Sequence, residues 1–377
     1  MLVEPVADFL SEVEDFLWRW VAPQSIQIDQ DFSVLKQVFQ AMGDRNLLTL
    51  QVPQQWGGRE LDMLTFRQFQ ERISRYSGAL AFLQTQHQSA AALLAQSDNL
   101  ALQQQYLPKM GTGLIGLGVG ISHLRRQGLP RVQARLTDMG FSLSGQVPWV
   151  TGAGCFQHFI VGATCANGSA VLGIAPLVST SQPEGGTLHV SHPLDLVAMA
   201  STQTVTVTLQ DWHLETDAVV CLKPTGWLQG RDHQDALQHG FFALGCAQAG
   251  LDIVATQTSS LSVSSQQAIQ SLQADLEDCR QHFYQAQQTS TPYPRQLHLR
   301  ATAIDLAHRC AQAAVTVSRG AANRLDHPAQ RVYREALAFT IFGQTPDILE
   351  ATLEQLVNPG KFTRTSRPLG SFAGCQD

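Results

Sequence analysis

The stretch Thr204-Val205-Thr206-Val207-Thr208-Leu209 alternates strictly between hydroxyl-bearing and aliphatic side chains. Because successive side chains of a strand point to opposite faces, this alternation predicts a strand with one dry and one polar face. Similar short β-branched segments, separated by Gly, Asn, Ser or Pro turns, recur upstream as far as Ile115. We therefore predict a β-barrel or sandwich domain at residues 112–222.

On both sides of this region the apolar residues change to a helical period. They recur at helical spacing from residue 6 to residue 17, and a long apolar helix is expected over residues 79–95. Downstream, an apolar stripe that steps by three and four residues runs from Leu237 to Val254. The predicted parts are an N-terminal all-α domain at 1–111, a C-terminal four-helix bundle at 232–357 and a partly irregular tail at 358–377.

The composition is that of an ordinary globular protein with a small excess of acidic over basic residues. Hydrophobic residues make up 44% and charged residues 15% of the chain, which excludes a disordered protein. The 25 Lys and Arg residues stand against 31 Asp and Glu residues, a net charge of -6. Affinity for nucleic acid comes from concentrated positive charge, so we expect no nucleic-acid partner.

The cysteines and the N-terminus predict the compartment. The seven cysteines are an odd number without a CxxC pair, which favours unpaired thiols in a reducing compartment. Met1–Phe9 has neither a basic region nor an apolar core, so no signal peptide is expected. No apolar run approaches the length of a membrane span. We therefore predict a cytoplasmic protein with no membrane partner.

No metal site is expected. His189 and His192 have HxxH spacing, but two residues three apart on a strand point to opposite faces. No carboxylate or cysteine accompanies them in a zinc-binding pattern.

Six short motifs run in order along the chain. They are Val52-Pro53 with Trp56-Gly57-Gly58, Leu107-Pro108-Lys109 with Gly111, Gly145 through Ala153, Ser201-Thr202 leading into Val205-Thr206-Val207, Ala243-Leu244-Gly245 through Leu251-Asp252, and Arg334-Glu335-Ala336 through Thr345. Together they resemble the acyl-CoA dehydrogenase family over nearly the whole chain. The resemblance implies an α+β protein with the three parts predicted above.

The same resemblance implies an FAD-dependent oxidoreductase that acts on the CH–CH group of an acyl thioester. Its substrate would be acyl-CoA, its assembly a homodimer or homotetramer, and a further partner an electron-accepting flavoprotein. FAD would lie between the β-domain and the bundle, with Trp149 against the flavin ring and Thr151 at the ring edge. Ser122 would lie nearby. An indole is suited to cover a planar redox ring and to exclude water from it.

The nucleotide end of FAD is expected near a helix start. Thr345 is a predicted N-cap, and Pro346 and Asp347 follow in the first turn, where proline geometry and negative charge suit a helix N-terminus. The free N–H groups there suit phosphate or ribose oxygens, and Asp347 would accept ribose hydroxyls.

The catalytic base of the family is altered. The family's glutamate corresponds to Gly343, and glycine cannot take a proton. Some relatives carry the base at the start of the first bundle helix, where this chain has Asp235. Two interpretations of Asp235 stay open, a catalytic base and a solvated aspartate favoured by the helix dipole. If the cavity is intact, Gly343→Glu is expected to restore flavin reduction by acyl-CoA.

Other cavity positions also depart from the family. Its arginine contacts to the flavin phosphates are missing, and Arg125, Arg126 or Arg319 either replaces them or is a surface charge. His87 and His123 fall in segments that are expected to approach the flavin cavity.

Three functions remain open from the sequence. The first is a dehydrogenase with a rearranged base. The second is a flavin-dependent monooxygenase on the same fold, which needs no α-base and for which Gly343 would be expected. The third is a non-catalytic protein that kept the fold and lost the flavin.

Overall fold

The computed structural model describes residues 6–126 and 128–358. Apart from Asn358, the tail predicted at 358–377 lies outside the described residues, as do Met1–Pro5 of the segment in which no signal peptide is expected.

The N-terminal part is helical, as predicted. Its helices are α1 (Val6–Phe16), α2 (Ser25–Gln30), α3 (Phe32–Gly43), α4 (Met63–Tyr76), α5 (Gly78–Ala95) and α6 (Leu100–Gly111). Side-chain caps fix two of the starts: Asp62 accepts a hydrogen bond from Thr65 N–H before α4, and Ser77 accepts one from Leu80 N–H before α5. Helix α5 is the long apolar helix expected from the sequence, and most of its residues are buried.

The central part is one connected mixed sheet. Its strands are β1 (Leu117–Gly120), β2 (Val132–Thr137), β3 (Gly140–Val150), β4 (His158–Cys165), β5 (Ala170–Pro176), β6 (Thr180–Ser181), β7 (Thr187–Val190), β8 (Val205–Glu215) and β9 (Val219–Lys223). Neighbouring strands follow the order β6-β7-β8-β3-β2-β4-β5-β9, and β1 pairs in parallel with β4.

The sheet packs against itself. Leu214 of β8 lies directly over Gly173 of β5, where a Cβ would come within 2.4 Å of the leucine Cδ2. Strands β5 and β8 are not neighbours in the sheet, so its two halves face each other, in agreement with the predicted barrel or sandwich. The alternation that begins at Val205 holds along β8: Val205, Val207 and Leu209 are buried.

The C-terminal part is helical again. Its helices are α7 (Trp227–Gln234), α8 (Gly240–Ala255), α9 (Val263–Gln288), α10 (Tyr293–Ser318), α11 (Pro328–Ile341) and α12 (Pro346–Val357). The predicted cap of α12 is confirmed, because the Thr345 hydroxyl accepts a hydrogen bond from Ile348 N–H. None of the helices in the described part of the chain has the length and apolar character needed to cross a membrane.

Helix α7 corrects one sequence expectation. We expected the first C-terminal helix to begin near residue 232 with Asp235 at its start, but a short helix already begins at Trp227 and Asp235 follows its last residue. The long helix α8 begins only at Gly240. A helix-dipole role for Asp235 at a helix N-terminus is therefore wrong.

A buried hydrogen bond and an ion pair join the N-terminal helices to α11. Glu335 of α11 is fully buried, where it binds Arg331 and accepts a hydrogen bond from Gly78 N–H at the start of α5, 2.9 Å away. Arg334 binds Asp29 of α2 at 2.7 Å. Because these contacts hold α5 against α11, they fix two walls of the space described next.

Candidate functional site

A cavity of about 520 Å³ lies where the three parts meet. Helix α5 contributes Phe82, Thr85 and Gln86, and the end of α11 contributes Ile341 and Phe342. The remaining walls come from the end of β3, the turn after β1, residues 196–199 with Thr204 before β8, and the segment from α7 to α8. A concave, mostly apolar space of this size between parts of a fold is typical of a small-molecule site.

The wall formed by β3 carries Trp149 and Thr151, which the sequence analysis assigned to a flavin ring. The pairing of β3 with β8 is irregular between Val147 and Val150, and such an irregularity redirects side chains at a strand end. Trp149 is 47% exposed and lines the cavity, although it is a large aromatic residue. Thr151 is buried beside it, with its Oγ1 2.9 Å from Oγ1 of Thr204.

The turn after β1, residues Ser122–Arg125, brings Ser122 and His123 to the same cavity. His123 Nε2 lies 2.9 Å from the carbonyl oxygen of Gly162. A carbonyl can only accept, so Nε2 carries the proton. Burial lowers the pKa of His123 to about 4, and the ring is neutral at neutral pH.

His239 and Gly343 face each other across the wall between α8 and α11. Gly343 has φ +56, and a Cβ added there would lie 2.4 Å from Cδ2 and 2.6 Å from Nε2 of the His239 ring. The imidazole occupies the space that a side chain at 343 needs. Gly343→Glu can therefore restore a base only if the His239 ring moves, and its effect on flavin reduction stays a prediction. Arg300 donates a 2.6 Å hydrogen bond to the carbonyl of Phe342 and thereby holds this turn in place.

A cluster of arginines lies behind this wall. Arg125 makes a two-fold contact with Asp232, with N–O distances of 2.5 and 2.8 Å. Arg300 is only 1% exposed, and burial together with the charge of Arg67 lowers its pKa to about 9. Arg231 lines the cavity, and its side chain has no hydrogen-bond acceptor among the described residues. Burial, followed by the charge of Arg125, lowers the pKa of Arg231 as well.

Asp235 lies behind the cavity wall. Its carboxylate accepts a charge-assisted hydrogen bond from Arg67, whose side chain is almost fully buried. The residues that line the cavity include Gln238 and His239 but not Asp235. The structure thus gives Asp235 a partner of opposite charge and does not bring it together with Trp149 and Thr151.

Of the other residues that the sequence analysis proposed for the site, several do not line the cavity. Gln344 lines the cavity, whereas Thr345 and Asp347 do not; Asp347 accepts a 2.7 Å hydrogen bond from the Tyr293 hydroxyl. His87 was expected to approach the cavity but does not line it. It is fully buried, and its ring nitrogens contact Met110 O and Leu117 N–H at 3.1 and 3.2 Å.

Comparisons with known proteins agree with this architecture. The model for "Acyl-CoA dehydrogenase, N-terminal domain" matches residues 6–114. Isovaleryl-CoA dehydrogenase of Bos taurus is 32% identical over 104 residues, which are 27% of this chain and 24% of the relative. The probable acyl-CoA dehydrogenase YngJ of Bacillus subtilis is 22% identical over 356 residues, 89% of this chain and 93% of the relative.

Butyryl-CoA dehydrogenase from Megasphaera elsdenii matches the fold with a TM-score of 0.75 at 19% identity, covering 95% of this chain and 99% of that chain. The N-terminal part of the chain thus matches the acyl-CoA dehydrogenase family by sequence, and the whole chain shares the fold of these dehydrogenases. A nitrososynthase from Micromonospora carbonacea also shares the fold, with a TM-score of 0.75, 17% identity and coverage of 94% and 97%. The fold that this chain shares with acyl-CoA dehydrogenases thus also occurs in a protein named for different chemistry.

Two residues that line the cavity were missed from the sequence. His239 and Arg231 match none of the quoted motifs, and nothing in their local sequence distinguishes them from surface residues. The sequence did contain one indication. Gly343 stands where the family has a glutamate, and so small a residue suggests that a neighbouring side chain fills the space. That neighbour, His239, lies more than 100 positions away in the chain, so only the fold identifies it.

Proposed function

We propose that this protein is an FAD-dependent oxidoreductase that acts on the CH–CH group of an acyl thioester. The observation that carries the proposal is the wall of the cavity on which the half-exposed indole of Trp149 and the Thr151 hydroxyl lie side by side. A flat aromatic face next to a hydroxyl group suits a planar ring with a polar edge. Similarity to the acyl-CoA dehydrogenase family supports the same choice of cofactor.

The residues of this wall fit the ring end of FAD. Thr151 and Thr204 share one hydrogen bond, and when Thr204 donates it, the proton of Thr151 is free for an acceptor in the cavity. Ser122 adds a second hydroxyl, which is exposed. For the phosphates, Arg126 is exposed at the cavity, whereas Arg125 is already paired with Asp232. Arg319 is exposed after the end of α10 and does not line the cavity.

The chain's own residues would bind and orient the substrate. Phe82 of α5 and Leu337 and Phe342 near the end of α11 offer apolar surface to an acyl chain. Their burial with the substrate would exclude water from the reacting carbons. FAD, when bound, supplies the acceptor for the hydride that leaves the β-carbon. Thr345 and Asp347 remain proposed contacts of its nucleotide end, reached past Gln344.

One observation favours a second candidate, a flavin-dependent monooxygenase. None of the described residues that line the cavity is an aspartate or a glutamate. A carboxylate base for the α-proton is thus not at hand, and an oxygenase needs none. The fold shared with the nitrososynthase is compatible with this alternative.

The absorbance spectrum of the purified protein with added FAD tests both candidates. Under anaerobic conditions, bleaching of the flavin bands by a series of acyl-CoA thioesters supports the dehydrogenase. Bleaching only by an added reductase, followed by oxygen consumption, supports the monooxygenase. Failure to bind FAD at all would contradict both and leave a non-catalytic protein.

We also propose a homodimer or homotetramer and an electron-accepting flavoprotein as partners. The apolar faces of the long C-terminal helices are not available for this assembly, because Phe241, Leu244, Leu299 and Leu306 are buried within one chain. Helix α12 instead presents an exposed apolar row of Leu349, Leu353 and Leu356. A row at this spacing on one helix face suits a second copy of the chain.

A further inference from the structure

None of the described residues that line the cavity has a carboxylate, so other side chains must act as acid or base there. The side chains that line it and that titrate are His123, His239, Arg125, Arg126 and Arg231. Arginine stays protonated in proteins and does not accept a proton. Only the two histidines can therefore take a proton from a bound molecule.

Neither ring nitrogen of His123 is available to a bound molecule. Its Nε2–H donates to Gly162, and its remaining lone pair is on Nδ1. Nδ1 is buried and has no hydrogen-bond partner. A molecule in the cavity cannot reach a nitrogen that the protein encloses, so His123 is excluded as the acceptor.

His239 is free to react. Neither ring nitrogen makes a hydrogen bond with a described residue, and Nδ1 is buried. Nε2 is the nitrogen next to Gly343, where it lies 2.6 Å from the place a Cβ would take. Both His239 and Gly343 line the cavity. The small residue at 343 thus leaves Nε2 uncovered on the cavity side.

Four arginines surround His239. They are Arg67 of α4, Arg125 of the turn after β1, Arg231 of α7 and Arg300 of α10. Burial, followed by these charges, lowers the pKa of His239 well below 6.5, so the imidazole is neutral and holds a free lone pair.

This cluster is electrostatically unbalanced. Asp232 pairs with Arg125 and Asp235 pairs with Arg67, so the four arginines share two carboxylates. Among the described residues neither Arg231 nor Arg300 has an ion pair of its own; the charges of Asp232 and Asp235 act on Arg231, and that of Asp235 acts on Arg300. Fixed positive charge in a water-poor site stabilises a negative charge that develops on a ligand. Such an anion would also oppose the arginines and raise the pKa of His239 toward the range of a working base.

We propose that the imidazole of His239 accepts the α-proton of an acyl thioester bound in the cavity, an inference that rests on the proposed function. The Cα–H bond breaks, and the proton joins Nε2. The electron pair moves into the thioester carbonyl, and Arg231 stabilises the negative charge on its oxygen. No electrons leave the substrate in this step, so the α-proton exchanges with solvent without an oxidant.

Phenylacetyl-CoA tests the step in isolation. Its α-carbon is acidified by the thioester and the phenyl ring, and it has no β-hydrogen, so it cannot be dehydrogenated. The FAD-supplemented protein is incubated with phenylacetyl-CoA in D2O, and deuterium incorporation is followed by mass spectrometry. Binding is measured separately by tryptophan fluorescence. We expect His239→Gln to slow exchange by about a hundredfold or more, which is typical of a lost general base, with binding retained.

His189→Gln is the matched control, because His189 is an exposed histidine on β7. It should leave exchange and binding unchanged. Thermal unfolding confirms that each variant is folded, and His239→Asn serves as a second variant. Equal exchange in wild type and either folded His239 variant overturns the proposal, as does a wild type that binds the thioester without exchange. A wild type that does not bind the thioester instead overturns the proposed function.

Discussion

The imidazole of His239 fills the place in which a side chain on residue 343 would stand. The two residues are far apart in sequence, yet Gly343 is in a left-handed conformation against the ring. Two independent constraints, the backbone φ and the ring contact, thus require glycine at this position.

The first prediction concerns the stability cost of that contact. Gly343→Ala should lower the free energy of unfolding by about 2–4 kcal/mol, because it adds left-handed strain and overpacking. Gly230→Ala is the control, since Gly230 is in helix α7 with open space around its Cβ position; we expect no loss there. In urea denaturation, the His239→Gly Gly343→Ala double variant should recover part of the loss. Strict additivity of the two changes would contradict the contact.

The second prediction concerns the flavin wall. Trp149→Ala should weaken FAD binding at least about threefold, because a buried aromatic contact contributes roughly 0.5–1.5 kcal/mol beyond its area. Flavin fluorescence titration measures the affinity. Trp18→Ala is the control, since Trp18 is 66% exposed and lies on another surface. Equal affinity in the Trp149 variant and the wild type would refute the ring site.

The third prediction concerns pH. Burial lowers the pKa of His87 from 6.5 to about 4, and its neutral ring accepts from Leu117 N–H and donates to Met110 O. The unfolded chain therefore binds a proton that the folded chain does not between pH 6.5 and 4. The contribution of neutral His87 to the free energy of unfolding is complete above pH 6.5. It is lost as the pH falls toward 4, a decrease of about 3 kcal/mol.

Denaturation curves at several pH values test this sign. His87→Gln should reduce the slope of stability against pH in that window by about one proton. His189→Gln, on the surface, should leave the slope unchanged. A slope that is the same in the His87 variant and the wild type would show that His87 does not titrate as described.

The fourth prediction separates two roles of Asp235, an ion-pair partner of Arg67 and a catalytic base. Asp235→Ala leaves the buried guanidinium of Arg67 without its carboxylate, so we expect a loss of about 2–4 kcal/mol in unfolding free energy. Asp326→Ala removes an exposed partner of Arg324 and should cost nothing measurable. Asp235→Asn should retain exchange of the phenylacetyl-CoA α-proton. Loss of exchange at unchanged stability would instead make Asp235 the base.

The fifth prediction concerns assembly. Sedimentation should show a dimer or tetramer at micromolar concentration. The double variant Leu349→Glu Leu353→Glu places charge in the exposed row of α12. It should shift the association equilibrium toward the monomer. Leu136→Glu, at an exposed position on β2, is the matched control. A monomeric wild type would contradict the assembly.

The sequence by itself determined the three-part architecture. Helical and strand periods are local properties, so the change of period near residues 111 and 223 is visible without contacts, and the caps at Thr345 and Ser77 depend on neighbours a few residues away. The strand motif through Trp149 and Thr151 likewise identified one wall of the cavity, because both residues are on one short segment.

Only the tertiary structure decided what completes the cavity. His239, Arg231 and Gly343 come from separate elements, and their proximity depends on how α7, α8 and α11 pack around Arg300. The pattern could not show that Asp235 points to Arg67, that His87 is enclosed, or that a histidine replaces the side chain missing at 343. Charge pairing and excluded volume act through space, and a one-dimensional pattern does not contain those distances.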